Sequence, residues 1–496
     1  SKIYMSFLRS IMFVGTCSDA GKSIVNTAFC RIFKQDGYHP APFKAQNMSL
    51  NSYSTPDGLE IGRAQAVQAE ACGITPESDM NPVLLKPTNE QCSQVVLNGK
   101  PVGNMSAREY FMSNNKAELF NQAYAAYERL QARYSPIVLE GAGSISEINL
   151  RERDITNMRM ALRTNAATYL VADIDRGGVF ASVYGSITLL SEEERKLIKG
   201  IIINKFRGDI SLFDEGRKII HDLTGIPVVG VIPYFKDIYI EEEDSVALDM
   251  KTNTWQEGKI NVAIVLLKRL SNFTDFSVLE RDERFHAYYT NNVEEIGKAD
   301  IIILPGTKNT ISDLRNIRAN GIAEAVIRAH KEGKKVIGIC GGYQMMGARI
   351  EDPDQIEGDM TAIPGLGILP LVTIMEPEKV TRQDQFTFRN HPETCKGYEI
   401  HMGRTTLLDG APEAPLNRLH DGRTDGYILN ERCWGSYLHG ILDNDIVLNE
   451  LAEGLTQATP TTFNYTDFKD QQYNKLADHV RAHVDLPYIY STLKTK

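Results

Sequence analysis

The chain has 496 residues, 42% hydrophobic and 24% charged, with a formal net charge of -10. A single core stops growing well below that length, so two or three domains are expected, and the acidic balance argues against a broad nucleic-acid surface. No apolar stretch is long enough to span a bilayer, no signal peptide is legible after Ser1-Lys2-Ile3-Tyr4-Met5, and the seven scattered cysteines form no C-x-x-C pair, which fits a reducing, cytoplasmic setting better than a disulfide framework or a zinc site.

Short β-rich apolar runs alternate with amphipathic segments. Ile11–Val14 reads as a buried parallel strand and Lys22–Gln35 as the helix after it. Between them lies Gly15-Thr16-Cys17-Ser18-Asp19-Ala20-Gly21-Lys22-Ser23. Glycines let backbone N–H groups wrap phosphate oxygens, the helix N-terminus adds positive potential, Lys22 reaches the terminal phosphates, and the Ser23 hydroxyl can bind Mg2+. Gly15, Thr16, Ser18, Gly21, Lys22 and Ser23 are therefore the candidate ATP-binding residues. Gly-Lys-Ser also occurs in plain turns, but here a strand precedes it and a helix follows.

Helix Ala117–Arg133 and strand Ile137–Leu139 lead to Glu140-Gly141-Ala142-Gly143-Ser144. A carboxylate at a strand's C-terminal edge points into the crevice where open α/β sheets bind ligands, so Glu140 joins Ser23 as a candidate metal ligand; its plainer role is to cap a turn. Strands Thr168–Val171, Ile201–Ile203 and Val228–Val231, with helix Glu192–Lys199, continue the series. Asp173-Ile174-Asp175-Arg176 can hold Mg2+ or a substrate acid, or be a solvated turn. Asn204 and Lys205 follow the next strand, where an amide can read a purine edge and a lysine stem can lie beneath the ring. This alternation predicts a doubly wound parallel α/β sheet of P-loop type over residues 5–240.

The texture changes near residue 240. Glu241-Glu242-Glu243-Asp244 and the polar stretch to Gly258 read as a linker, 241–258. A second α/β series, placed at 259–447, has strands Ile260–Leu267, Ile301–Leu304, Val336–Ile339 and Trp434–Leu438. Residues 448–496 read as a polar helical extension without a motif. Within the second series, Gly338-Ile339-Cys340-Gly341-Gly342 joins a strand to a helix expected near Gln344. A nucleophile in so tight a turn is exposed and strained, and small neighbours are needed for the backbone to fit. A lone cysteine is more often simply buried, but these glycines then lack a purpose. The N–H of Gly341 would face a developing oxyanion, with a second donor from Gly306-Thr307 at the end of an adjacent strand. His439 is the candidate base, and His401 a pocket-lining alternative.

The loop Gly-Thr-x-Ser-x-x-Gly-Lys-Ser is one residue longer than G-x-x-x-x-G-K-[ST] and resembles that of dethiobiotin synthetase and its relatives, which use ATP to phosphorylate a carboxylate or carbamate. The resemblance implies that Glu140 binds Mg2+. The second half resembles a class I, triad-type glutaminase, with one departure: the Glu expected two residues after the histidine is Ile441. That departure resembles the cobyrinate-type glutamine amidotransferase family and implies a Cys340–His439 pair, with Asp443 and Glu399 as unassigned orienters.

Three further stretches, Pro42-Phe43-Lys44-Ala45-Gln46-Asn47-Met48-Ser49-Leu50-Asn51-Ser52, Asn81-Pro82-Val83-Leu84-Leu85-Lys86-Pro87 and Gly397-Tyr398-Glu399-Ile400-His401-Met402-Gly403, are similar to the branch that amidates the b, d, e and g carboxylates of adenosylcobyrinic a,c-diamide to adenosylcobyric acid. The resemblance covers about residues 11–446. It implies ATP, Mg2+, glutamine as ammonia donor and a corrinoid substrate, with no membrane or nucleic-acid partner; oligomeric state is left open. Gln46, Asn47, Asn51 and Arg176 are candidate substrate contacts; the amides can equally form a polar loop packed on itself. The competing readings are amidation of another polycarboxylate such as cobyrinic acid, a P-loop partitioning-type ATPase with a non-catalytic second domain, and a glutamine-sensing module.

Overall fold

The computed structural model describes residues 7–88, 91–106, 109, 116–241, 248, 251–455 and 463–494. Met5, Glu242, Glu243 and Asp244, which the sequence reading assigns to a domain start and a linker, lie outside the described residues. The seven cysteines are all free thiols. Among the described residues no helix is long and apolar enough to cross a membrane.

The first sheet has six strands, all parallel, in the spatial order Val228–Pro233, Ile198–Phe206, Ala167–Asp173, Ile11–Gly15, Ile137–Glu140, Ala41–Phe43. The strand that feeds the phosphate loop sits centrally, between the strands that end at Asp173 and Glu140. All of its residues are buried, which explains its continuous apolar run. Helix α1, Lys22–Gln35, starts directly after Gly21. The second sheet runs Phe285–Thr290, Ile260–Val265, Ile301–Leu304, Lys335–Ile339, Cys433–Ser436, Tyr427–Asn430, with only the last strand antiparallel. Both sheets thus present their loops at the C-terminal edges of parallel strands, where α/β folds bind ligands.

Two smaller features bring the halves together. Strands Ser52–Ser54 and Glu60–Gly62 pair as a short ribbon, and Arg63–Cys72 forms helix α2 directly after it. Against this ribbon packs the long hairpin of Leu371–Phe388 with Thr394–Leu407: Gln383 donates to Tyr53 Oη at 2.5 Å and to Ser54 O at 2.9 Å. Glu60, with no exposed surface, accepts from Lys86 of the first half at 2.5 Å and also from Lys379 of the hairpin. Burial disfavours its charge, but Lys379 and then Lys86 outweigh that and hold its carboxyl well below the usual range.

The last segment is not a loose appendage. Helix Tyr465–Arg481 lies against α1, with Arg31 paired to Asp470 at 2.6 Å and Tyr473 Oη donating to Glu70 at 2.6 Å. Tyr473, Leu476, Ala477 and Val480 join the core beneath the first sheet, the i, i+3, i+4, i+7 stripe of an amphipathic helix. The following helix, Leu486–Leu493, is held by a bond from Arg9 N to Leu493 O at 2.8 Å. Truncating fully buried Leu476 to alanine should therefore cost about 2–5 kcal/mol and lower the thermal unfolding midpoint, as a core substitution does. Unchanged melting in Leu476→Ala would mean that the segment is dispensable.

Candidate active sites

The phosphate loop wraps the N-terminus of α1. Gly21 takes φ 95, and a β-carbon there would fall 2.1 Å from Asn204 Nδ2. Only glycine fits both demands. Lys22 Nζ lies 3.0 Å from Cys17 O, 3.3 Å from Ser18 O and 3.0 Å from Gly143 O, inside the loop where a phosphate would be held. Burial lowers its pKa to about 8 despite the attraction of Glu140. Thr16 N bonds Val171 O at 3.1 Å, and Ile145 N bonds Gly15 O at 3.1 Å, fixing the loop to its flanking strands.

Ser23 Oγ donates to Glu140 Oε1 at 2.5 Å. Glu140 is buried; desolvation opposes its charge, but Lys44 at 3.6 Å, Ser23 and Gln68 together lower its pKa, so it stays a carboxylate. A hydroxyl and an ionised carboxylate at the loop mouth are oxygen donors of the kind that hold a hard divalent cation, and they fit Mg2+. Asn204 Nδ2 donates to Ala20 O at 3.0 Å, and Lys205 Nζ to Asp19 O at 2.5 Å, so both brace the loop backbone. Among the described residues no cluster of three or more His, Cys, Asp or Glu forms another metal centre.

In the second sheet, Cys340 occupies the turn between strand Lys335–Ile339 and helix Gly341–Met346, with φ 51 and ψ -110. The helix starts three residues before the sequence expectation, directly at the cysteine. The strain is enforced by contacts that admit no side chain: a β-carbon at Gly342 would stand 1.9 Å from Leu304 O, and one at Gly338 2.6 Å from Met346 Sδ. Gly341 lies against Thr307, whose N is 3.1 Å from the position a β-carbon would take, so the two backbone donors expected at an oxyanion hole are neighbours.

His439 has no exposed surface. Its Nδ1 is 2.7 Å from Asp275 Oδ2, and the other carboxylate oxygen, Oδ1, accepts from Gly440 N at 2.8 Å. Among the described residues Nε2 has no partner of ordinary hydrogen-bond geometry, yet Cys340 is close enough to act on it. Burial pushes the imidazole pKa down, but Asp275 and then Cys340 raise it to about 10. The imidazolium is the form of His439 that this site favours.

The two family models that match meet the two sites. A CobQ/CobB/MinD/ParA nucleotide binding domain matches residues 11–246, and a CobB/CobQ-like glutamine amidotransferase domain matches residues 261–447. The cobyric acid synthase of Parabacteroides distasonis is 72% identical over 98% of this chain and 99% of its own. Those of Bacteroides fragilis and Salmonella agona are 61% and 45% identical, each covering 98% of both chains. The chain belongs to the cobyric acid synthase family. It is an enzyme, a glutamine amidotransferase and ligase that uses glutamine and ATP.

In this cobyric acid synthase family member the sequence-predicted residues divide into groups. Cys340, His439, Gly341 and Thr307 come together at the elbow. Lys22, Ser23, Glu140, Asn204 and Lys205 come together at the phosphate loop. Arg176 lies on an exposed turn 3.9 Å from Asp19, at the loop's outer edge. Asn47 and Asn51 are buried: Asn47 donates to Gln65 at 3.1 Å, and Asn51 Oδ1 accepts from Thr274 at 3.2 Å across the halves. Both side chains are held by the protein here, while Gln46 is half-buried beside exposed Met48.

The sequence leaves the third member of the Cys340–His439 pair open, and a carboxylate from elsewhere in the chain stands at that place. Glu399 is taken by His401 at 3.1 Å and Arg382 at 2.9 Å, whereas Asp275 holds His439. Asp275 lies 164 residues before His439, on the one-turn helix Phe273–Phe276. It follows the strand Ile260–Val265, and nothing in its local sequence ties it to His439.

Asp275→Asn should lower glutaminase kcat on the order of 10²- to 10⁴-fold, as removing the carboxylate of a triad does. The imidazolium also loses its largest favourable partner, so the alkaline limb of the pH–rate profile should move to lower pH. The raised His439 pKa stabilises the fold fully below about pH 6.5, and that contribution is lost as pH rises through about 10. For the phosphate loop, a lysine with pKa about 8 that must be charged to hold phosphate should take up a proton on ATP binding at pH 8 and above. Calorimetry in buffers of different ionisation enthalpy checks this: equal heats in all buffers contradict it.

Proposed function

We propose that this chain amidates the b, d, e and g carboxylates of adenosylcobyrinic a,c-diamide, using acyl phosphates and ammonia released from glutamine at Cys340. The observation that carries the reading is that one chain, belonging to the cobyric acid synthase family, places a strained Cys340 beside an Asp275-held His439 and a Lys22–Ser23–Glu140 phosphate site in its other half.

The glutaminase half-reaction follows from the elbow. The Cys340 thiolate attacks the glutamine amide carbon, and the oxyanion that forms is received by the N–H groups of Gly341 and Thr307. His439, already protonated beside Asp275, gives its proton to the leaving ammonia. Water then hydrolyses the thioester to glutamate, with His439 as base. Asp275 keeps the ring oriented through Nδ1.

The synthetase half-reaction answers a different difficulty. A carboxylate is a poor acceptor for ammonia, because oxide or hydroxide would have to leave. A carboxylate oxygen of the corrinoid attacks the γ-phosphorus of ATP, ADP leaves, and ammonia then displaces phosphate from the acyl phosphate. Lys22 follows the transferring phosphoryl group. Mg2+ held by Ser23 and Glu140 would neutralise charge on the phosphates when bound. Ammonia must stay unprotonated between the sites, and the buried contacts of Glu60, Lys86 and Lys379 close the surface between the halves against water.

Cys340→Ala should abolish glutamate release and glutamine-driven synthesis while leaving ammonium-driven synthesis intact. Lys22→Ala should abolish ATP consumption. Product mass spectrometry with cobyrinic acid and its a,c-diamide offered separately decides the substrate: amides formed only on the former would overturn this assignment. Glutamate release by Cys340→Ala would overturn the nucleophile.

A further inference from the structure

We propose that Arg63 is a positioning residue for the glutaminase and that helix α2 ties it to the ATP site, an inference that rests on the function proposed above. Arg63 is the first residue of α2 and is buried at the surface between the halves. Its guanidinium lies 5.0 Å from the Tyr53 ring centroid and 5.4 Å from that of Tyr398, donates to the Tyr398 hydroxyl, and stands 3.9 Å from Glu241. Tyr398 belongs to the glutaminase half. Its ring stacks on the His439 imidazole at 5.3 Å with an interplanar angle of 28°. The two residues also exchange both backbone hydrogen bonds, at 3.1 and 2.8 Å. The imidazole is thus gripped on one edge by Asp275 and on one face by a ring whose hydroxyl is set by Arg63.

The same ten-residue helix reaches the other site. Gln68 Nε2 donates to Glu140 Oε2 at 3.0 Å. Gln68 is five residues after Arg63, about 7.5 Å along the axis, so one short rigid element joins the proposed metal ligand to the ring beneath the catalytic histidine. A second contact runs beside it: Arg63 N bonds Asn51 O at 2.9 Å, and Asn51 Oδ1 accepts from Thr274, the neighbour of Asp275. Among the described residues, Arg63 Nε is buried without a partner. A buried charged group left partly unsatisfied has an alternative arrangement to gain when its helix moves, and such an element can answer a ligand at Glu140.

The test uses the full-length chain and measures glutamate release with and without ATP and adenosylcobyrinic a,c-diamide. Arg63→Met should lower glutaminase kcat on the order of 100-fold, as a displaced catalytic group does, with little change in KM for glutamine and with ammonium-driven synthesis retained. Arg63→Lys keeps the charge but not the planar fork and should recover only part of the loss. In Gln68→Leu, the rise in glutaminase on adding ATP and the corrinoid should disappear.

Wild-type kcat in Arg63→Met, or a wild-type glutaminase indifferent to ATP and corrinoid, would overturn the inference. Should Arg63→Met lose ammonium-driven synthesis too, Tyr398→Phe decides, because it removes only the hydroxyl that Arg63 holds: unchanged kcat rejects the positioning role. A wild-type chain that releases glutamate yet amidates no corrinoid refutes the proposed function instead, and the Arg63→Met result in glutamine alone still stands or falls separately.

Discussion

A fully buried carboxylate shared between two halves is the constraint on which the rest of this structure depends. Glu60 accepts from Lys86 of its own half and from Lys379 of the glutaminase hairpin. Removing one partner of such a pair leaves an uncompensated charge in a dry place, which costs roughly 3–5 kcal/mol, so the pair favours one docked arrangement over slid or parted ones. Gln94, which accepts from both Lys308 and Lys379, adds a second bond across the same surface. Lys308 follows Thr307 directly, so the docking contact and the expected oxyanion donor are adjacent in sequence. Bringing the halves together and shaping the glutaminase pocket therefore draw on the same few residues.

Within that frame the elbow stores strain that the fold around it maintains. Cys340 is held at positive φ by a helix start that begins one residue later and by glycines pressed on neighbouring backbone. No single contact could do this; the turn persists because strand, helix and the Leu304 carbonyl leave no alternative position. Asp275 completes the site electrically. An imidazolium buried without it would be discharged.

Much of this was legible in the sequence, and the pattern of success is physical. Motifs that act through local backbone, the phosphate loop at Gly15–Ser23 and the elbow at Gly338–Gly342, announce themselves because their glycines and neighbours are contiguous. The parallel strands were legible for the same reason: burial on both faces leaves an unbroken apolar run. Asp275 was not, because its partner lies far away along the chain and nothing in local spacing joins them; the position two residues after His439 had to be filled from elsewhere. The placing of Asn47 and Asn51 was not legible, because an amide bound inside a protein and one bound to a ligand look alike until burial is known. The docking of helix Tyr465–Arg481 was also missed, although its apolar stripe was there, because a stripe shows that a face is covered without showing by what.

The separation of information matches a separation of tasks. Each half carries a motif able to do its chemistry alone, and each motif is local. What joins the two halves is non-local: Asn51 touching Thr274 and Arg63 touching Tyr398. Ammonia released without an acyl phosphate waiting for it is wasted, and an acyl phosphate left in water hydrolyses. A chain that makes both therefore gains most from contacts that register the two sites against each other, and those contacts converge on the surroundings of His439.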